Sequence, residues 1–381
     1  MLFNVHRLFA FVVAGVTINQ IILYKNFAMS RYWSKITKQL TPYTPGEQPQ
    51  VENLIKLNTN ENPYGPSPSV LEAIAAANNN DLRKYPDPTC ADLQSAVANY
   101  YHLETDQVFI GNSSDEVLAH IFQALLKHES PLLFPDITYS FYPVYCGLYE
   151  IEFKKIPLAD DFTLDIQDYD QPNGGIIFAN PNAPTGIALP IEDLTKLLQS
   201  NTKSVVVVDE AYVDFSKQSA IALIDQFPNL LVTQTLSKSR SLAGLRVGFA
   251  FGNANLIEAL NRVKNSFHPY ALGKLQLVGA LAAFTDDAYF NASCARIIAG
   301  RSSTTQQLRE LGFSVLDSSC NFVFASHPYK SAAGLYQGLR KRGILVRHFD
   351  LPRISNHLRI TIGTNEEMVA LLAALQELLR Q

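Results

Sequence analysis

A lysine placed between two hydroxyl groups is the side chain of this sequence best suited to covalent chemistry. Lys238 lies between Ser237 and Ser239, and Arg246 follows eight positions later. A deprotonated lysine amine is a nucleophile that forms an imine with an aldehyde cofactor and can release it again. Hydroxyl groups and a guanidinium suit the binding of a phosphate. Taken alone, Lys238 is better explained as a solvated loop residue, so the prediction depends on the rest of the chain.

A carboxylate, Asp209, follows the run of four valines from Val205 to Val208. Such an uninterrupted apolar run is typical of a strand that a parallel sheet buries on both faces. Burying a carboxylate without a cationic partner is costly, so we expect a positive group to meet Asp209. A helix cap or an ordinary ion pair would satisfy the same requirement.

The segment Gly111–Glu116 follows an apolar strand, Val108–Ile110, and is predicted to open a helix. Glycine lets the backbone turn closely, and Ser114 and Asp115 fall where the free N–H groups of a helix point outward. This arrangement suits an anion. The simpler alternative is an ordinary helix cap with acidic residues in the first turn.

Two arginines near the end of the chain, Arg347 and Arg359, lie in or at the ends of predicted apolar strands. These strands are Ile344–Arg347 and His357–Ile362. An arginine in such a position is rarely left unpaired. The pattern therefore predicts either an anionic ligand or a carboxylate beside them.

An alternation of predicted strands and helices connects these candidate residues. The strands are nearly continuous apolar runs, which predicts an α/β fold with a parallel sheet covered on both faces. Ligands bind at the carboxyl ends of the strands in such sheets, and the rigid loop Asn180–Gly186 follows the strand Gly175–Ala179 at that edge. Among the helices, an amphipathic one is predicted over Thr89–Tyr101, with Thr89 as its N-terminal cap.

Length and composition limit the possible partners. The chain has 381 residues, of which 47% are hydrophobic and 17% charged, enough for two globular domains. A net charge of −4 and the lack of lysine- or arginine-rich runs argue against nucleic acid and anionic membranes as partners. The four cysteines are widely spaced and form no metal-binding pattern, so we expect reduced thiols, a cytoplasmic protein and no metal.

Residues 1–28 need separate treatment, because Leu8–Tyr24 is apolar but interrupted by polar residues. At about 17 residues this stretch is at the short limit of a membrane span. No clean cleavage site for a signal peptide follows it. We favour a third interpretation, in which translation begins at Met29 and the segment is an artefact or a dispensable extension. A membrane anchor and a secretory signal stay open as alternatives.

In this order, the landmarks resemble the fold-type I pyridoxal-phosphate enzymes, and within them the histidinol-phosphate aminotransferases. The resemblance covers residues 30–381. It rests on Leu57–Pro66 (LNTNENPYGP), Lys84–Pro88 (KYPDP), Gly111–Glu116, Tyr139, Asn180–Gly186, Asp209–Tyr212, Ser237-Lys238, Arg246, Val346–Phe349 and Leu358–Gly363. It implies a large domain with a mixed, mostly parallel sheet and a smaller C-terminal α/β domain.

The same resemblance implies how the chain is divided and assembled. Residues 29–61 would form an N-terminal arm that joins the small domain, residues 62–270 the large cofactor-binding domain, and residues 271–381 the small domain. Tyr85 is similar to the tyrosine that reaches the cofactor phosphate of the neighbouring subunit. A homodimer with shared active sites is therefore implied.

The resemblance also implies roles for several residues around pyridoxal 5′-phosphate. Lys238 would bind the cofactor as an imine and later move a proton between two carbon atoms. Asp209 would pair with the pyridine nitrogen, Tyr212 would donate to the phenolic oxygen, and Tyr139 would stack on the ring. The cofactor phosphate would be held by Ser114, Asp115, Ser237 and Arg246.

One position departs from the family pattern. The residue immediately before Pro-Thr-Gly, where an asparagine usually binds the phenolic oxygen, is Ala183 here. Either the preceding Asn182 takes over this role, which we expect, or Tyr212 performs it alone.

The implied reaction transfers the amino group of L-histidinol phosphate to 2-oxoglutarate, in the biosynthesis of L-histidine. Arg347 and Arg359, with Tyr64 from the N-terminal loop, are similar to the groups that bind the anions of both substrates. An aromatic amino acid transaminase and a phosphothreonine decarboxylase of the same fold are the alternatives. A cofactor-sensing transcription regulator would need a basic DNA-binding domain, for which the leader is too short and too apolar.

Overall fold

The computed structural model describes residues 30–49, 53–216 and 218–381. The hydrophobic leader, whose origin the sequence leaves open, lies outside the described residues. Residues 30–39 contain one short helix, α1 (Lys35–Gln39), and residues 40–381 form one compact unit. No helix within the described ranges has both the length and the apolar composition that crossing a membrane requires.

The compact unit alternates strands and helices. Its strands are β1 (Ile55–Lys56), β2 (Val108–Gly111), β3 (Leu132–Pro135), β4 (Phe153–Ile156), β5 (Gly175–Ala179), β6 (Val206–Asp209), β7 (Leu230–Thr235), β8 (Gly248–Gly252), β9 (Ser314–Val315), β10 (Phe322–Ser326), β11 (Ile344–Leu345), β12 (Arg347–His348) and β13 (Leu358–Thr361). Its helices are α2 (Pro68–Ala77), α3 (Ala91–Tyr101), α4 (Ser113–Leu125), α5 (Tyr142–Tyr149), α6 (Ile191–Ser200), α7 (Ala254–Phe267), α8 (Lys274–Ala283), α9 (Asp287–Glu310), α10 (Ala332–Lys341) and α11 (Asn365–Arg380).

Seven strands form a large mixed sheet in the order β2-β8-β7-β6-β5-β3-β4. β8 runs antiparallel to both of its neighbours, and the other neighbouring strands are parallel. The predicted α/β fold with a mostly parallel mixed sheet is thereby confirmed. The edge strand β4 exposes Lys154 and Lys155, and charged side chains on an edge hinder pairing with another chain.

Different helices cover the two faces of the large sheet. Val206 and Val208 lie in a core that also contains residues of α3, α6 and α8, whereas Val207 lies in a core with residues of α4, α5 and α7. Successive side chains of a strand point to opposite faces, so the valine run requires apolar cover on both sides. The helices provide it.

A smaller antiparallel sheet, in the order β12-β13-β10-β9, forms from the C-terminal part of the chain. A separate parallel pair joins β1, near the N-terminus, to β11, with Ile55 opposite Ile344. The prediction of a single strand over Ile344–Arg347 is wrong. The chain divides at the buried Val346, because β11 pairs with β1 whereas β12 pairs with β13.

The start of α3 also differs from the prediction. The helix begins at Ala91, and the carboxylate of Asp87 accepts the Ala91 N–H at 2.8 Å. Thr89 is not the cap, because its hydroxyl donates to the same carboxylate at 2.7 Å. The carboxylate of Asp87, four residues before Ala91, thus caps the helix in place of the Thr89 hydroxyl.

The parallel strands bring the candidate residues to one edge of the large sheet. Asp209 ends β6, and its neighbours in the sheet are Ala179 at the end of β5 and Thr233 in β7. Lys238 follows the end of β7. The loop Asn180–Gly186 leaves β5 at the same edge.

Candidate active site

A cavity of about 660 Å³ opens at this edge of the sheet. Its lining includes five of the predicted site residues: Tyr139, Tyr212, Lys238, Arg347 and Arg359. Tyr43 and the segment Asn58–Asn60, both from the N-terminal part of the chain, also line it. Residues that are far apart in the sequence therefore line the same cavity.

Asp209 is 5% exposed, and its carboxylate accepts three hydrogen bonds. Tyr142 donates to Oδ2 at 3.0 Å, and the Thr233 hydroxyl and the Ala211 N–H donate to Oδ1, both at 3.3 Å. Burial raises the pKa of Asp209 to about 6, against the effect of these donors. No ion pair within the described ranges involves Asp209. The positive group that we expect beside Asp209 would therefore have to come from a bound ligand.

The Lys238 amine donates to the backbone carbonyl of Thr59 at 3.1 Å and lies 5.7 Å from the centre of the Tyr212 ring. Burial lowers the pKa of Lys238 to about 8, and the positive charge of Arg359 acts in the same direction. The amine is therefore neutral far more often near neutral pH than an ordinary lysine is. A neutral amine is the form that attacks an aldehyde.

Tyr212 presents a protonated hydroxyl next to this amine. Burial raises the pKa of Tyr212 to about 12, so the phenol keeps its proton at neutral pH. Its ring stands edge-on to Phe322, with ring centres 5.2 Å apart. The hydroxyl accepts a hydrogen bond of 2.9 Å from the side-chain amide of Asn60.

The amide group of Asn182 binds Thr185 of its own loop and two residues that follow β3, Ile137 and Thr138. Its nitrogen donates to the carbonyl of Ile137 at 2.9 Å and to the Thr185 hydroxyl at 3.0 Å. Its oxygen accepts from the Thr138 hydroxyl at 2.8 Å. The amide nitrogen thus already has two acceptors, and Ala183 lines the cavity with an apolar methyl group.

The N-terminus of α4 offers donors to an anion. The helix begins at Ser113 and no described side chain caps it, so its first N–H groups, including those of Ser114 and Asp115, are of the kind that binds anions. Arg246 Nη2 lies 2.6 Å from Asp115 Oδ2, and Tyr139 donates to Asp115 Oδ1 at 3.3 Å. Because a carboxylate repels a phosphate, the backbone N–H is the only group of Asp115 that suits one.

Gly248 brings β8 against this helix start. A Cβ at Gly248 would lie 2.4 Å from the Ser114 nitrogen, so any larger residue would displace the first turn of α4. Thr235 stands opposite Gly248 in the sheet, and its hydroxyl donates to the Ser237 hydroxyl at 2.9 Å. Ser237 therefore lies just beyond the end of β7, in a turn that Thr235 joins to the strand pair beside the helix start.

Arg347 and Arg359 stand directly opposite each other on β12 and β13. Like charges in this position repel each other unless something negative lies between them. Arg359 donates through Nη2 to the Asn58 carbonyl at 2.8 Å, but its buried Nε has no partner. Neither arginine forms an ion pair with a described residue. Of the two partners that the sequence allows, an anionic ligand is the one that fits.

Two predicted site residues lie apart from these groups. Tyr85 is 84% exposed and packs against Tyr270, with the rings tilted and their centres 4.9 Å apart. Tyr64 packs against the core beside the small sheet, and the Arg296 guanidinium lies 5.3 Å from its ring centre. Neither lines the cavity described above.

The structure adds two polar residues that the sequence did not single out. Asn60 belongs to the segment Leu57–Pro66, which carries the family resemblance, so an asparagine in that segment could have been noticed. Tyr142 has no comparable local signal, because its importance comes from a contact with Asp209, 67 residues away.

This set of groups fits one cofactor. A buried carboxylate without a cation suits a protonated ring nitrogen, a neutral amine suits an aldehyde, and a helix N-terminus beside Arg246 suits a phosphate. Pyridoxal 5′-phosphate carries these three groups on one ring. The fold and the site together therefore define a pyridoxal-phosphate enzyme.

Comparison with known proteins identifies the family. The profile of the family "Aminotransferase class I and II" matches residues 52–375. The chain belongs to this family and is an aminotransferase that depends on pyridoxal 5′-phosphate.

Its relatives narrow the group further. Histidinol-phosphate aminotransferase 2 of Dechloromonas aromatica is 59% identical over 354 residues, which cover 92% of this chain and 99% of that protein. Histidinol-phosphate aminotransferase 1 of Pseudomonas aeruginosa is 59% identical over 347 residues, covering 91% and 99%. The structure of histidinol-phosphate aminotransferase from Sinorhizobium meliloti, in complex with pyridoxal-5′-phosphate, matches with a TM-score of 0.83 at 24% identity, covering 93% and 99%. The relatives confirm the resemblance stated from the sequence, and the solved structure confirms the fold.

Proposed function

We propose that this chain transfers the amino group of L-histidinol phosphate to 2-oxoglutarate, giving imidazole acetol phosphate and L-glutamate. The observation that carries this proposal is the pair Arg347 and Arg359, which stand opposite each other without an anionic partner among the described residues. Both line the cavity that contains Lys238. The names of the 59% identical relatives support the same substrate.

The two arginines explain how one site accepts two dissimilar substrates. Histidinol phosphate offers a phosphate, and 2-oxoglutarate offers a carboxylate beyond the reacting carbon. A guanidinium binds either group through two parallel hydrogen bonds. The nearby Asp136 would oppose an anion, but it already pairs with Arg353 at 3.1 Å. The positive charge of the pair is therefore available to the substrate.

The other predicted site residues are assigned to separate parts of the cofactor. When bound, pyridoxal 5′-phosphate supplies an electron-withdrawing ring that stabilises negative charge on the substrate carbon. We assign Asp209 to the ring nitrogen, Tyr212 to the phenolic oxygen and Tyr139 to the face of the ring. We assign the phosphate to the N–H groups of Ser114 and Asp115, the hydroxyls of Ser114 and Ser237, and Arg246.

Lys238 takes the proton from the substrate carbon and returns it. Its pKa of about 8 lets the amine accept a proton near neutral pH and release it again. The Thr59 carbonyl holds the amine at the wall of the cavity. For the phenolic oxygen, the geometry favours Tyr212 over Asn182, because the amide nitrogen of Asn182 already donates to Ile137 and Thr185.

A spectral titration without a coupling enzyme tests the proposed reaction. Purified, cofactor-loaded protein is mixed with histidinol phosphate, and the visible band of the bound aldehyde form should fall in proportion to the substrate added. Adding 2-oxoglutarate should restore the band. Phenylalanine is the control for an aromatic transaminase, and release of carbon dioxide from phosphothreonine is the control for a decarboxylase. A band that responds to phenylalanine but not to histidinol phosphate would exclude the proposed substrate.

We also propose a homodimer in which Tyr85 reaches the cofactor phosphate of the partner. Tyr85 and Tyr270 pack together and are both exposed, and exposed apolar surface marks interaction sites. Lys264 supports this segment by donating to the Pro88 carbonyl at 3.0 Å. A single chain gives Tyr85 no role in its own cavity.

Mixed dimers test this sharing of sites. Subunits with Lys238→Ala and subunits with Tyr85→Ala are each expected to have low activity. Mixing and re-association should restore one intact site per mixed dimer, and activity should rise above that of either parent. If the two proteins sediment as monomers, or if mixing restores nothing, the shared site is excluded.

The division into domains and the location in the cell stay proposals. Pairing of β1 with β11 supports an arm, 29–61, that joins a small domain, 271–381, beside a large domain, 62–270. Limited proteolysis should cut between these parts. The four cysteines are free thiols, which supports a reducing compartment and thus the cytoplasm.

A further inference from the structure

Asn60 is a buried asparagine that faces the site and whose groups are all bonded. It is 1% exposed and lines the cavity. Its amide nitrogen donates to the Tyr212 hydroxyl at 2.9 Å, and its backbone carbonyl accepts from Asn321 at 2.9 Å. Its backbone has a φ of 57°, a conformation that asparagine tolerates better than most residues.

The hydroxyl of Thr361 determines which end of the Asn60 amide faces Tyr212. This hydroxyl accepts the Asn60 backbone N–H at 3.1 Å, so its own hydrogen is free to donate to Asn60 Oδ1, 3.0 Å away. The amide oxygen is therefore held by Thr361. The amide nitrogen, which can only donate, is left for Tyr212.

This orientation dictates the direction of the Tyr212 proton. A hydroxyl that accepts a hydrogen bond from an amide must place its own hydrogen elsewhere. No other described residue forms a hydrogen bond with this hydroxyl, and Tyr212 lines the cavity. The phenol is thus prepared to donate to a ligand in the cavity. Accepting from the amide also makes the phenol a stronger donor, since hydrogen bonds in a chain polarise one another.

We propose that Asn60 is a positioning residue that directs the Tyr212 hydroxyl toward the phenolic oxygen of the cofactor. Ala183 has no polar group for this purpose, and the amide nitrogen of Asn182 already donates to Ile137 and Thr185. A residue about 120 positions earlier in the chain thereby supplies the missing amide, acting through Tyr212. This inference rests on the role proposed above for Tyr212 but not on the identity of the substrate.

The surroundings of Tyr212 define what else could influence the cofactor. The charged and titratable groups that act on Tyr212 are Arg359, Cys320, Asp209 and Lys238, which lies 5.7 Å from the ring centre. None of these four residues is itself substituted in an Asn60 variant. The Tyr212→Phe background described below separates the effect of the amide from a displacement of the segment 58–60, which holds Arg359 and Lys238.

The test follows the absorbance of the bound cofactor as a function of pH, without substrate. A donor to the phenolic oxygen stabilises the deprotonated, more negative form of the cofactor. Asn60→Gly keeps the backbone conformation accessible and removes the amide, so the spectral pKa should rise by roughly half to one unit. Asn60→Asp keeps the size but can no longer donate, and its carboxylate attracts the Tyr212 proton, so the rise should be at least as large.

Two controls separate positioning from a general effect on folding. Asn321→Ala removes a bond to the Asn60 backbone and leaves the amide in place, so it should lower the melting temperature without moving the spectral pKa. In a Tyr212→Phe background, Asn60→Gly should cause no further spectral shift, because its effect passes through the missing hydroxyl.

The outcomes are distinct. An unchanged spectral pKa in Asn60→Gly, or a full additional shift in the Tyr212→Phe background, overturns the positioning role of Asn60. If Tyr212→Phe itself leaves the spectrum unchanged, the proposed role of Tyr212 fails first. Failure of histidinol phosphate to change the spectrum of the unaltered enzyme would affect only the proposed substrate.

Discussion

Replacing Asp209 by asparagine is expected to stabilise the cofactor-free enzyme while weakening its hold on the cofactor. Asp209 has an ordinary pKa of 3.8 but about 6 when buried in the folded protein. Since the folded pKa is the higher one, the folded state retains a proton that the unfolded chain loses. Stability therefore falls as the pH rises from about 4 to about 6 and stays lowered above. A difference of about two units corresponds to about 3 kcal/mol.

The assay is urea unfolding of the cofactor-free protein and of Asp209→Asn at several pH values. At about pH 4 the variant should be slightly less stable, by less than about 1 kcal/mol, and at about pH 8 it should be more stable by about 2 kcal/mol. This figure is the cost of ionisation less about 1 kcal/mol for an asparagine N–H without an acceptor. Glu210, whose pKa burial raises to about 7, is present in both proteins and largely cancels in the difference.

At saturating cofactor, the unaltered protein should be more stable than Asp209→Asn. A protonated ring nitrogen beside the carboxylate turns the buried charge into a favourable pair, and only the unaltered protein can form it. A variant that is less stable than the unaltered protein at about pH 8 without cofactor would refute the reasoning. A stability gap that does not close toward about pH 4 would do the same.

Four further substitutions test single contacts. Lys238→Ala should abolish the cofactor mass that borohydride reduction otherwise fixes to the chain, as mass spectrometry would show. Arg359→Lys should raise KM for histidinol phosphate and 2-oxoglutarate alike, by about tenfold or more, because an ammonium replaces a two-pronged donor. Tyr142→Phe should weaken cofactor binding at neutral pH, since losing one donor raises the pKa of Asp209 by about another unit. Asn182→Ala should lower the melting temperature but leave the spectral pKa unchanged, and a shifted spectral pKa would return Asn182 to the phenolic oxygen.

The edge of the sheet where the site lies could be predicted because it depends on local patterns. Four valines indicate a buried strand by themselves, and Asp209 at their end must then lie at the carboxyl edge of the sheet. The same reasoning places the loop Asn180–Gly186 and Lys238 at that edge. None of these predictions requires knowledge of which distant residues meet there.

Predictions that required knowledge of a partner were the ones that failed. The carboxylate of Asp87 caps the helix that begins at Ala91. From the sequence alone, the hydroxyl of Thr89 was an equally good candidate for the cap. The sequence of Ile344–Arg347 predicts one strand, but the residues before Val346 pair with β1 and those after it pair with β13. Hydrophobic periodicity reports burial, not the identity of the neighbouring strand.

The segment Asn58–Asn60 shows why the site could not be completed from local patterns. Its three consecutive residues each bind a different site residue: the Asn58 carbonyl accepts from Arg359, the Thr59 carbonyl from Lys238, and the Asn60 amide donates to Tyr212. Two of these contacts use backbone carbonyls, which every residue possesses, so the amino-acid sequence gives no signal that predicts them. What the side chains contribute is the conformation, because Asn60 and Thr361 together fix the segment against β13. The groups assigned to substrate, proton transfer and cofactor are therefore held by one short stretch of chain, and a change in its path would affect all three together.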